Sequence, residues 1–595
     1  MKGVTKMIKN YLVVFIGCIV SLLSISCKHG VFSKKSAQKK ISHAYEEYLH
    51  SLNPIIKDKQ SDPSESFNLS PLDEKEITRR MNVLNDLNQQ IQGIEHLDLN
   101  GKILKSSIQS HLLLGEIKNY QKPFLNRNGF FNILENLYRA KNYKTVEDFE
   151  KLFKKWEKVP EYFDNNIFWM NQGIQEKNVH SKNTTQRALE IISGLRVPSL
   201  HSSKDFLFYS YLKDAPTQEI KEKGLHLINT VIKDAYEKLY LYFKDEYLPK
   251  ATEQDGLTYN PQGKDFYKKL VKLHTTRNTV TPEEIHQIGL DEVKRIKSQM
   301  EKIIKEVKFK GSFQEFLTFL RTSKQFYAKT PQELLEKASY FAKQADLKMP
   351  EFFYHLPRLS YGIIPVPDHL APGFTTGLYS HGNMKHGVSG KYWVNTYDLM
   401  ARPLYELPAL TVHEAVPGHH HQIAIAQELH DKHLPKYRVK ANFTAYVEGW
   451  GLYAETIGED MGMYQTPYEK FGRCSYEMWR ALRLVVDTGI HYFGWTKEKA
   501  FELMWNNSAL SKLNIITEIE RYIADPGQAL AYKMGEITIR KLKQKAQEEF
   551  KKNALEFDVR EFHDIILKEG SMPLDVLEEL VIEWINKKIS HSKQG

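Results

Sequence analysis

The stretch Thr281-Pro-Glu-Glu284 has the sequence of a helix N-terminus, and the same pattern returns as Thr330-Pro-Gln-Glu333 and Thr466-Pro-Tyr-Glu469. In each, the threonine can cap the free amides of the first turn, the proline presets φ at the first helical position, and the glutamate can reach back to the cap. Amphipathic helix is also the dominant pattern in the rest of the chain. We therefore predict a mainly α-helical protein.

The chain before these starts reads as helical scaffold. Residues 42–255 show successive amphipathic segments separated by polar turns, for example Thr217–Tyr247, and contain no motif to which we can give a chemistry. We interpret residues 42–280 as a helical scaffold half and residues 281–595 as a catalytic half, because the chemically distinctive motifs lie in the second.

Proline and glycine interrupt the helical pattern between Tyr354 and Tyr397. Short runs between them predict a small β element directly before the histidine-rich segment; these runs are Ile363–Val366, Gly377–Ser380 and Lys391–Thr396. The run Tyr392-Trp-Val-Asn395 has the composition of an exposed edge strand, which could hold an extended peptide by main-chain hydrogen bonds. A purely structural hairpin is the alternative.

The histidine-rich segment Leu407-Pro-Ala-Leu-Thr-Val-His-Glu-Ala-Val-Pro-Gly-His-His-His-Gln422 carries the chemistry. It almost matches the zinc-peptidase motif His-Glu-x-x-His, in which two histidines four residues apart bind Zn²⁺ from one helix face and the glutamate activates the bound water. Pro417 stands where the second histidine should be. The ordinary form of the motif is therefore excluded.

The next histidine, His419, comes six residues after His413, and a regular helix would point it to the wrong face. Pro417 cannot donate an amide to the carbonyl of His413, and Gly418 tolerates unusual dihedral angles. We therefore expect a bulge that turns His419 back beside His413. His420 and His421 remain alternatives as the second ligand; if one of them instead contacts a ligand or the substrate, we expect it to be His420.

A catalytic zinc also needs a third protein ligand and an open position for water. Glu448 is the candidate, within Ala445-Tyr-Val-Glu-Gly-Trp-Gly-Leu-Tyr-Ala-Glu455, where two glycines allow close passage past the metal-binding helix. Glu455 lies seven residues further along the same helix face, so we expect it to accept a hydrogen bond from a histidine ligand. A solvated helix carboxylate is the alternative for Glu448.

Three motifs together resemble one protein family: His413-Glu-Ala-Val-Pro-Gly-His-His420, Glu448-Gly-Trp-Gly-Leu-Tyr-Ala-Glu455 and Arg521-Tyr-Ile-Ala-Asp-Pro-Gly-Gln-Ala-Leu-Ala-Tyr-Lys-Met-Gly535. Their order and spacing are similar to the bacterial family known as domain of unknown function 885. That family is placed among the gluzincin metallopeptidases, whose helical members include angiotensin-converting enzyme. The resemblance implies a large helical body with a deep channel, and one zinc ion held by His413, His419 and Glu448.

A peptidase mechanism assigns further roles. Zn²⁺ would polarise the scissile carbonyl, and Glu414 would take a proton from water and deliver it to the leaving amine. Tyr532 is the first candidate for the oxyanion donor, with Tyr522 and His491 as alternatives; a core tyrosine is equally compatible with the sequence. Arg521 could bind a substrate carboxylate, or form a helix-surface salt bridge.

The N-terminus predicts export. Lysines precede an apolar run over residues 11–25 that ends at Ser26-Cys27, which is typical of a lipoprotein signal over residues 1–27 with Cys27 as the lipid-bearing residue. An ordinary signal or an anchor helix is the alternative. Residues 28–41 are rich in Lys and Ser and predict a flexible tether. We therefore expect a cell-envelope lipoprotein, at the periplasmic face or in the outer membrane.

The composition limits the class of function. The chain has 595 residues with 83 basic and 73 acidic side chains, interspersed without long blocks of one sign, so nucleic acid is not an expected partner. The expected function is zinc-dependent hydrolysis of short peptides. The alternatives are a tethered zinc-binding module without turnover and an amidase that acts on cell-wall peptides. The sequence does not indicate an oligomeric state.

Overall fold

The computed structural model describes residues 34–52, 73–139, 143–197, 206–368, 371–384, 387–428 and 434–593, and over these residues the protein is mainly α-helical, as predicted. The helices of the first part of the chain are α1 (Lys34–Leu52), α2 (Glu74–Gln92), α3 (Leu99–Glu116), α4 (Ile133–Arg139), α5 (Val146–Trp156), α6 (Val159–Glu176), α7 (Lys182–Leu195), α8 (Leu207–Ser210), α9 (Gln218–Leu227), α10 (Lys233–Leu241) and α11 (Gly263–Thr275). Those of the second part are α12 (Pro282–Glu306), α13 (Phe313–Thr322), α14 (Pro331–Phe352), α15 (Leu407–Glu414), α16 (His419–Glu428), α17 (Lys436–Lys440), α18 (Thr444–Asp460), α19 (Pro467–His491), α20 (Lys497–Asn507), α21 (Lys512–Ala524), α22 (Leu530–Lys552), α23 (Val559–Leu567) and α24 (Leu574–Ser592).

The three threonine-proline starts are helix N-termini, as predicted. Thr281 caps α12, Thr330 caps α14 and Thr466 caps α19, and in each the threonine hydroxyl accepts from the amide of the glutamate three residues on. At Thr281 and Thr466 that glutamate also accepts from the cap amide, which completes a capping box. Each cap satisfies amides that the helix itself leaves free.

The β element is a three-stranded sheet of β1 (Tyr361–Pro365), β2 (Gly377–Ser380) and β3 (Gly390–Val394), in the order β1-β3-β2. β1 pairs in parallel with β3, with Tyr361 opposite Gly390. β2 pairs antiparallel with β3, with Tyr379 opposite Tyr392. The prediction of an edge strand at Tyr392–Asn395 is wrong, because β3 is the central strand and β1 and β2 form the edges.

The buried side chains do not divide at the predicted boundary between residues 280 and 281. One apolar core is formed by buried side chains between Phe124 and Tyr247. It ends where the helix of α9 and α10, which includes two π-helical turns, reaches Tyr247. A larger core joins α1, α2 and α3 to the second part of the chain, from Ile296 to Ile585. The first helices therefore pack with the catalytic half, and only the middle of the predicted scaffold has a core of its own.

The described chain starts with α1 at Lys34. The predicted signal over residues 1–27 and the start of the predicted tether lie outside the described residues. From Lys34 onward the tether prediction is wrong, because residues 34–41 form the first turns of α1 and Ile41 is buried against the main core. Within the described ranges no helix has the length and apolar character needed to cross a membrane.

Candidate metal centre

The histidine-rich segment occupies two helices joined by a tight turn. α15 ends at Glu414 and α16 begins at His419. The Val416–Pro417 peptide bond between them is cis. Glycine is required at Gly418, because a Cβ atom there would lie 1.9 Å from the carbonyl oxygen of His413. The predicted interruption at Pro-Gly is present, as a turn between two helices.

This turn brings His419 beside His413, and both face Glu448 on α18. Nε2 of His413 lies 3.7 Å from Oε2 of Glu448, and Nε2 of His419 lies 3.4 Å from the same oxygen. One potential ligand atom from each residue lies within 4.8 Å of the other two. A tetrahedral zinc with bonds of about 2.0–2.1 Å holds its ligand atoms about 3.3 Å apart. The three donors are therefore close to the spacing that zinc requires.

Glu455 orients the first of these histidines. Its Oε1 lies 2.9 Å from Nδ1 of His413, so Nδ1 carries the proton and donates to the carboxylate. The lone pair of Nε2 is then free to face Glu448 and a metal. Arg480 lies 3.7 Å from the same Glu455 oxygen and is buried with it. The predicted role of Glu455 as an acceptor for a ligand histidine matches its position.

Glycines let α18 approach both histidine rings. A Cβ atom on Gly451 would lie 2.8 Å from Cε1 of His413 and 3.1 Å from Cε1 of His419. A Cβ atom on Gly449 would lie 2.5 Å from the Cα atom of Gly535 on α22. The helix that carries Glu448 is thus held between the histidines and α22, with no room for a side chain at either glycine.

Glu414 lies next to the donor set without being part of it. Its Oε2 accepts a 2.7 Å hydrogen bond from the backbone amide of Tyr379 on β2, and the side chain is 7% exposed. This bond holds one oxygen of the carboxylate in place. The other oxygen is left for a proton transfer, which is what a general base needs.

The charges of the site favour a cation between the carboxylates. Burial acts to lower the pKa of His413, but Glu448, Glu455 and Glu414 outweigh it and raise that pKa to about 9. Burial acts to raise the pKa of Glu448, but His419 and His413 hold it well below its usual range. Carboxylates that stabilise a proton on an imidazole also stabilise a divalent cation there.

His420 and His421 are not in the donor set. Nδ1 of His420 lies 3.0 Å from the hydroxyl of Tyr379, and its ring packs 4.4 Å from that of Tyr361. Nε2 of His421 donates to the carbonyl of His355 at 2.9 Å. The structure therefore places His419 next to Glu448. It places His420 next to Tyr379 of β2, the residue whose amide binds Glu414.

Tyr532 and Arg521 lie together on α22 and α21. Nη2 of Arg521 lies 3.3 Å from the Tyr532 hydroxyl and donates to it, and the guanidinium of Arg483 lies 4.2 Å from the centre of the tyrosine ring. Tyr532 is one helical turn before Gly535, which contacts the helix of Glu448. Two cations beside one phenol favour donation of its proton to a developing negative charge.

Tyr522 and His491 form no hydrogen bond with His413, His419 or Glu448 in the described part of the chain. The Tyr522 hydroxyl accepts from Trp479 and Arg483, each at 3.0 Å. His491 accepts from the amide of Leu257 at Nδ1 and donates to the carbonyl of Tyr522 at Nε2. It also lies eleven residues beyond Arg480 on α19, about 16 Å along the helix axis. Both residues therefore join buried helices to one another.

Two contacts of the site were missed in the sequence. The Tyr379 amide that binds Glu414 belongs to a correctly predicted strand, but nothing in its composition indicates which helix it faces. Nε1 of Trp450 donates to the carbonyl of Pro417 at 2.8 Å and holds the turn between the two histidines. The sequence feature that could have indicated this contact is Trp450, two residues after Glu448.

A cavity of about 250 Å³ is lined in part by residues of the elements that hold the site. Gln422 and Ile423 on α16, Tyr446 and Val447 on α18, and His381 after β2 form its walls. These elements also carry His419, Glu448 and the amide that binds Glu414. The cavity therefore lies beside the elements of the donor set, and none of the donors lines it.

Glu292, Glu477 and Glu536 form a second group of converging carboxylates, on α12, α19 and α22. Nζ of Lys533 occupies its centre, at 2.9, 2.8 and 2.9 Å from the three. Each of the three carboxylates also pairs with an arginine; these are Arg295, Arg473 and Arg540. The lysine fills the position that a metal would take, so this group is a buried ion network.

Replacing Lys533 by methionine is expected to lower the free energy of unfolding by about 3–5 kcal/mol, because three carboxylates lose the cation between them. Denaturant titration followed by circular dichroism measures the change. Lys541→Met, on an exposed face of the same helix, is the control and should change stability by less than ~0.5 kcal/mol. Equal stability of the two variants would contradict the role of the network.

The fold and the donor set define a mainly helical protein with a candidate metal centre of two histidines and one glutamate. The chain belongs to the family described as bacterial protein of unknown function (DUF885), which matches residues 32–581. No curated protein matches it.

Two solved structures share the fold over nearly their whole length. A "putative lipoprotein" from Colwellia psychrerythraea is 26% identical with a TM-score of 0.80, and the match covers 93% of this chain and 99% of that chain. A "putative lipoprotein of unknown function" from Shewanella oneidensis is 17% identical with a TM-score of 0.69, and the match covers 92% and 99%. The architecture is therefore common to these proteins.

Proposed function

We propose that the protein is a zinc-dependent peptidase of the gluzincin type that cleaves short peptides. The observation that carries the proposal is the convergence of His413, His419 and Glu448 at zinc spacing, with the carboxylate of Glu414 beside them and outside the set. A site that only stored metal would not need that extra acid, and closed structural zinc sites usually have four protein ligands.

The residues present fit a zinc ion, since two imidazole nitrogens and one carboxylate oxygen are a common catalytic set with a position left open. When bound, zinc would polarise the scissile carbonyl and make a water more acidic. Glu414 takes the proton from that water through the oxygen that Tyr379 does not hold. It then delivers the proton to the leaving nitrogen.

Tyr532 is proposed as the donor to the oxyanion. Arg521 donates to its hydroxyl, so the hydroxyl's own proton is free to point elsewhere. Arg521 is itself partly exposed, with 30% of its side chain accessible, so it could instead contact a substrate carboxylate. Tyrosine is a suitable donor because its phenolic hydroxyl can both accept one hydrogen bond and donate another.

Lipid anchoring is proposed as well. Cys27 at the end of the apolar N-terminal run would carry the lipid, and the chain would then be exported to the cell envelope. Support comes from the lipoprotein descriptions of the two similar structures.

Metal content and hydrolysis test the proposal together. The purified protein is expected to contain about one zinc by mass spectrometry and to cleave short peptides, to lose both on chelation and to regain both with zinc. Peptides with free ends, a blocked N-terminus or an amidated C-terminus separate exopeptidase from endopeptidase action. Loss of cleavage only with the amidated peptide would show that a free carboxylate is bound.

Three other results would contradict or change the proposed function. A protein that binds no metal would show that the donor set has been wrongly interpreted. A protein that binds zinc but cleaves no peptide would be a zinc-binding module. Cleavage restricted to the amide bonds of cell-wall peptides would show an amidase.

A further inference from the structure

A second cavity lies between the first part of the chain and the α21–α22 turn. The polar residues that line it include Lys122, His180, Asp255, Asn260, His491 and Asp525. Its volume is about 70 Å³. Among the described residues that line it, none belongs to the donor set or contacts Glu414.

Lys122 forms no ion pair with a described residue, although the carboxylates of Asp255 and Asp525 also line the cavity. It is half-buried, and no carboxylate of the described residues forms an ion pair or exerts a charge effect on it. Burial alone lowers the pKa of Lys122 to about 8. An ammonium group in this position loses hydration without a protein partner in return. A ligand with a negative group would supply that partner.

Two buried oxygens without hydrogen-bond partners in the described chain lie in the same cavity, although Ser181 hydrogen-bonds to the Asp255 carboxylate. Oδ1 of Asp255 and Oδ1 of Asn260 are buried and accept no hydrogen bond from the residues that the structure describes. The charged groups that act on Asp255 are Lys497, Glu498 and Glu520, and Lys122 is not among them. Asp255 and Lys122 therefore line one cavity without neutralising each other, and each leaves part of its bonding capacity to a ligand.

The cavity also limits the size of that ligand. One water molecule requires about 10–15 Å³, so this volume holds about five waters or a solute of about five heavy atoms. We propose that the cavity binds a small zwitterionic amino acid, of which glycine fits best, with its carboxylate at Lys122 and its ammonium group at Asp255 and Asn260.

Calorimetric titration of the purified protein after zinc removal tests this, because free glycine could otherwise bind the candidate metal centre. Glycine is expected to bind with a stoichiometry of about one, consistent with a single cavity of this size. Acetate and methylammonium, which each carry one of the two charges, should bind at least about tenfold more weakly. Leucine should not bind, because it exceeds the cavity.

Several results of this titration would overturn the proposal. These are the absence of saturable heat with glycine, acetate binding as tight as glycine binding, and glycine binding that appears only when zinc is present. The test does not need peptide hydrolysis, so it stands or fails apart from the peptidase proposal.

Variants locate the ligand. Lys122→Met and Asp255→Asn should each weaken glycine binding by about tenfold or more, since each removes one charge-assisted contact. Lys118→Met is the matched control, because Lys118 is exposed and paired with Glu176 at 2.6 Å, and it should leave the affinity unchanged. Circular dichroism establishes that each variant is folded. Unchanged affinity in both cavity variants would overturn the proposal, and the ligand series on the unmodified protein decides it if a variant does not fold.

Discussion

Replacement of Glu414 by glutamine is expected to lower peptide hydrolysis by about 10²–10⁴-fold while the zinc content stays unchanged. Glutamine keeps the size of the side chain, and its oxygen can still accept from the Tyr379 amide, so the local structure should persist. What is lost is the group that takes a proton from water. Because Glu414 is not one of the three donors, His413, His419 and Glu448, metal binding should not depend on its charge.

The measurement is kcat/KM for one cleaved peptide together with zinc per protein, for the unmodified protein, Glu414→Gln and Glu502→Gln. Glu502 is exposed on α20, so its variant controls for the loss of one negative charge. Rates within a few-fold of the unmodified protein in Glu414→Gln would exclude this residue as the base. Loss of zinc from that variant would instead make Glu414 a ligand, and the roles proposed for the site would change.

Local features of the fold were predictable because they depend on neighbouring residues. The helix starts at Thr281, Thr330 and Thr466 follow from capping chemistry within four residues. The position of His419 beside His413 follows from Pro417 and Gly418, which interrupt the helix between α15 and α16. These interactions are complete within the segment that encodes them.

The pairing of distant segments was not predictable in the same way. Strand composition located the sheet, but the central position of β3 depends on its parallel pairing with β1, which brings together residues almost thirty positions apart. The same limit applies to the cores. Helices α1 to α3 pack with the second part of the chain, and no local pattern indicates that choice.

The residues of the candidate site show the same difference between local spacing and the packing of distant segments. Glu448 and Glu455 were predicted correctly as neighbours of the histidines because their spacing places both on one helix face. His491 and Tyr522 were alternatives to Tyr532 as the donor to the oxyanion. The structure instead joins them to each other, since the Tyr522 carbonyl accepts from His491. Motif proximity does not decide which side of a long helix a residue occupies.

Replacement of Gly451 by alanine is expected to weaken zinc binding by about 10–100-fold and to reduce hydrolysis in proportion to the lost metal. The new Cβ atom would lie 2.8 Å from Cε1 and 2.9 Å from Nε2 of His413, and 3.1 Å from Cε1 of His419. Both rings are buried, and Glu455 holds His413 from the other side, so neither ring has free space to move into. A displacement of a fraction of an ångström at two ligands disturbs both zinc bonds at once.

The competing expectation is that alanine stabilises the helix, since glycine inside a helix costs about 1 kcal/mol relative to alanine. Gly194→Ala isolates that effect, because Gly194 is also helical and a Cβ atom there meets nothing within 4 Å. Zinc affinity measured by competition with a chelator, and thermal unfolding measured without metal, separate the two contributions. If Gly451→Ala binds zinc like Gly194→Ala, then the histidine rings tolerate the new methyl group and α18 does not fix the geometry of the site. If zinc affinity falls while the metal-free protein keeps its stability, then the glycine serves the metal site and not the fold.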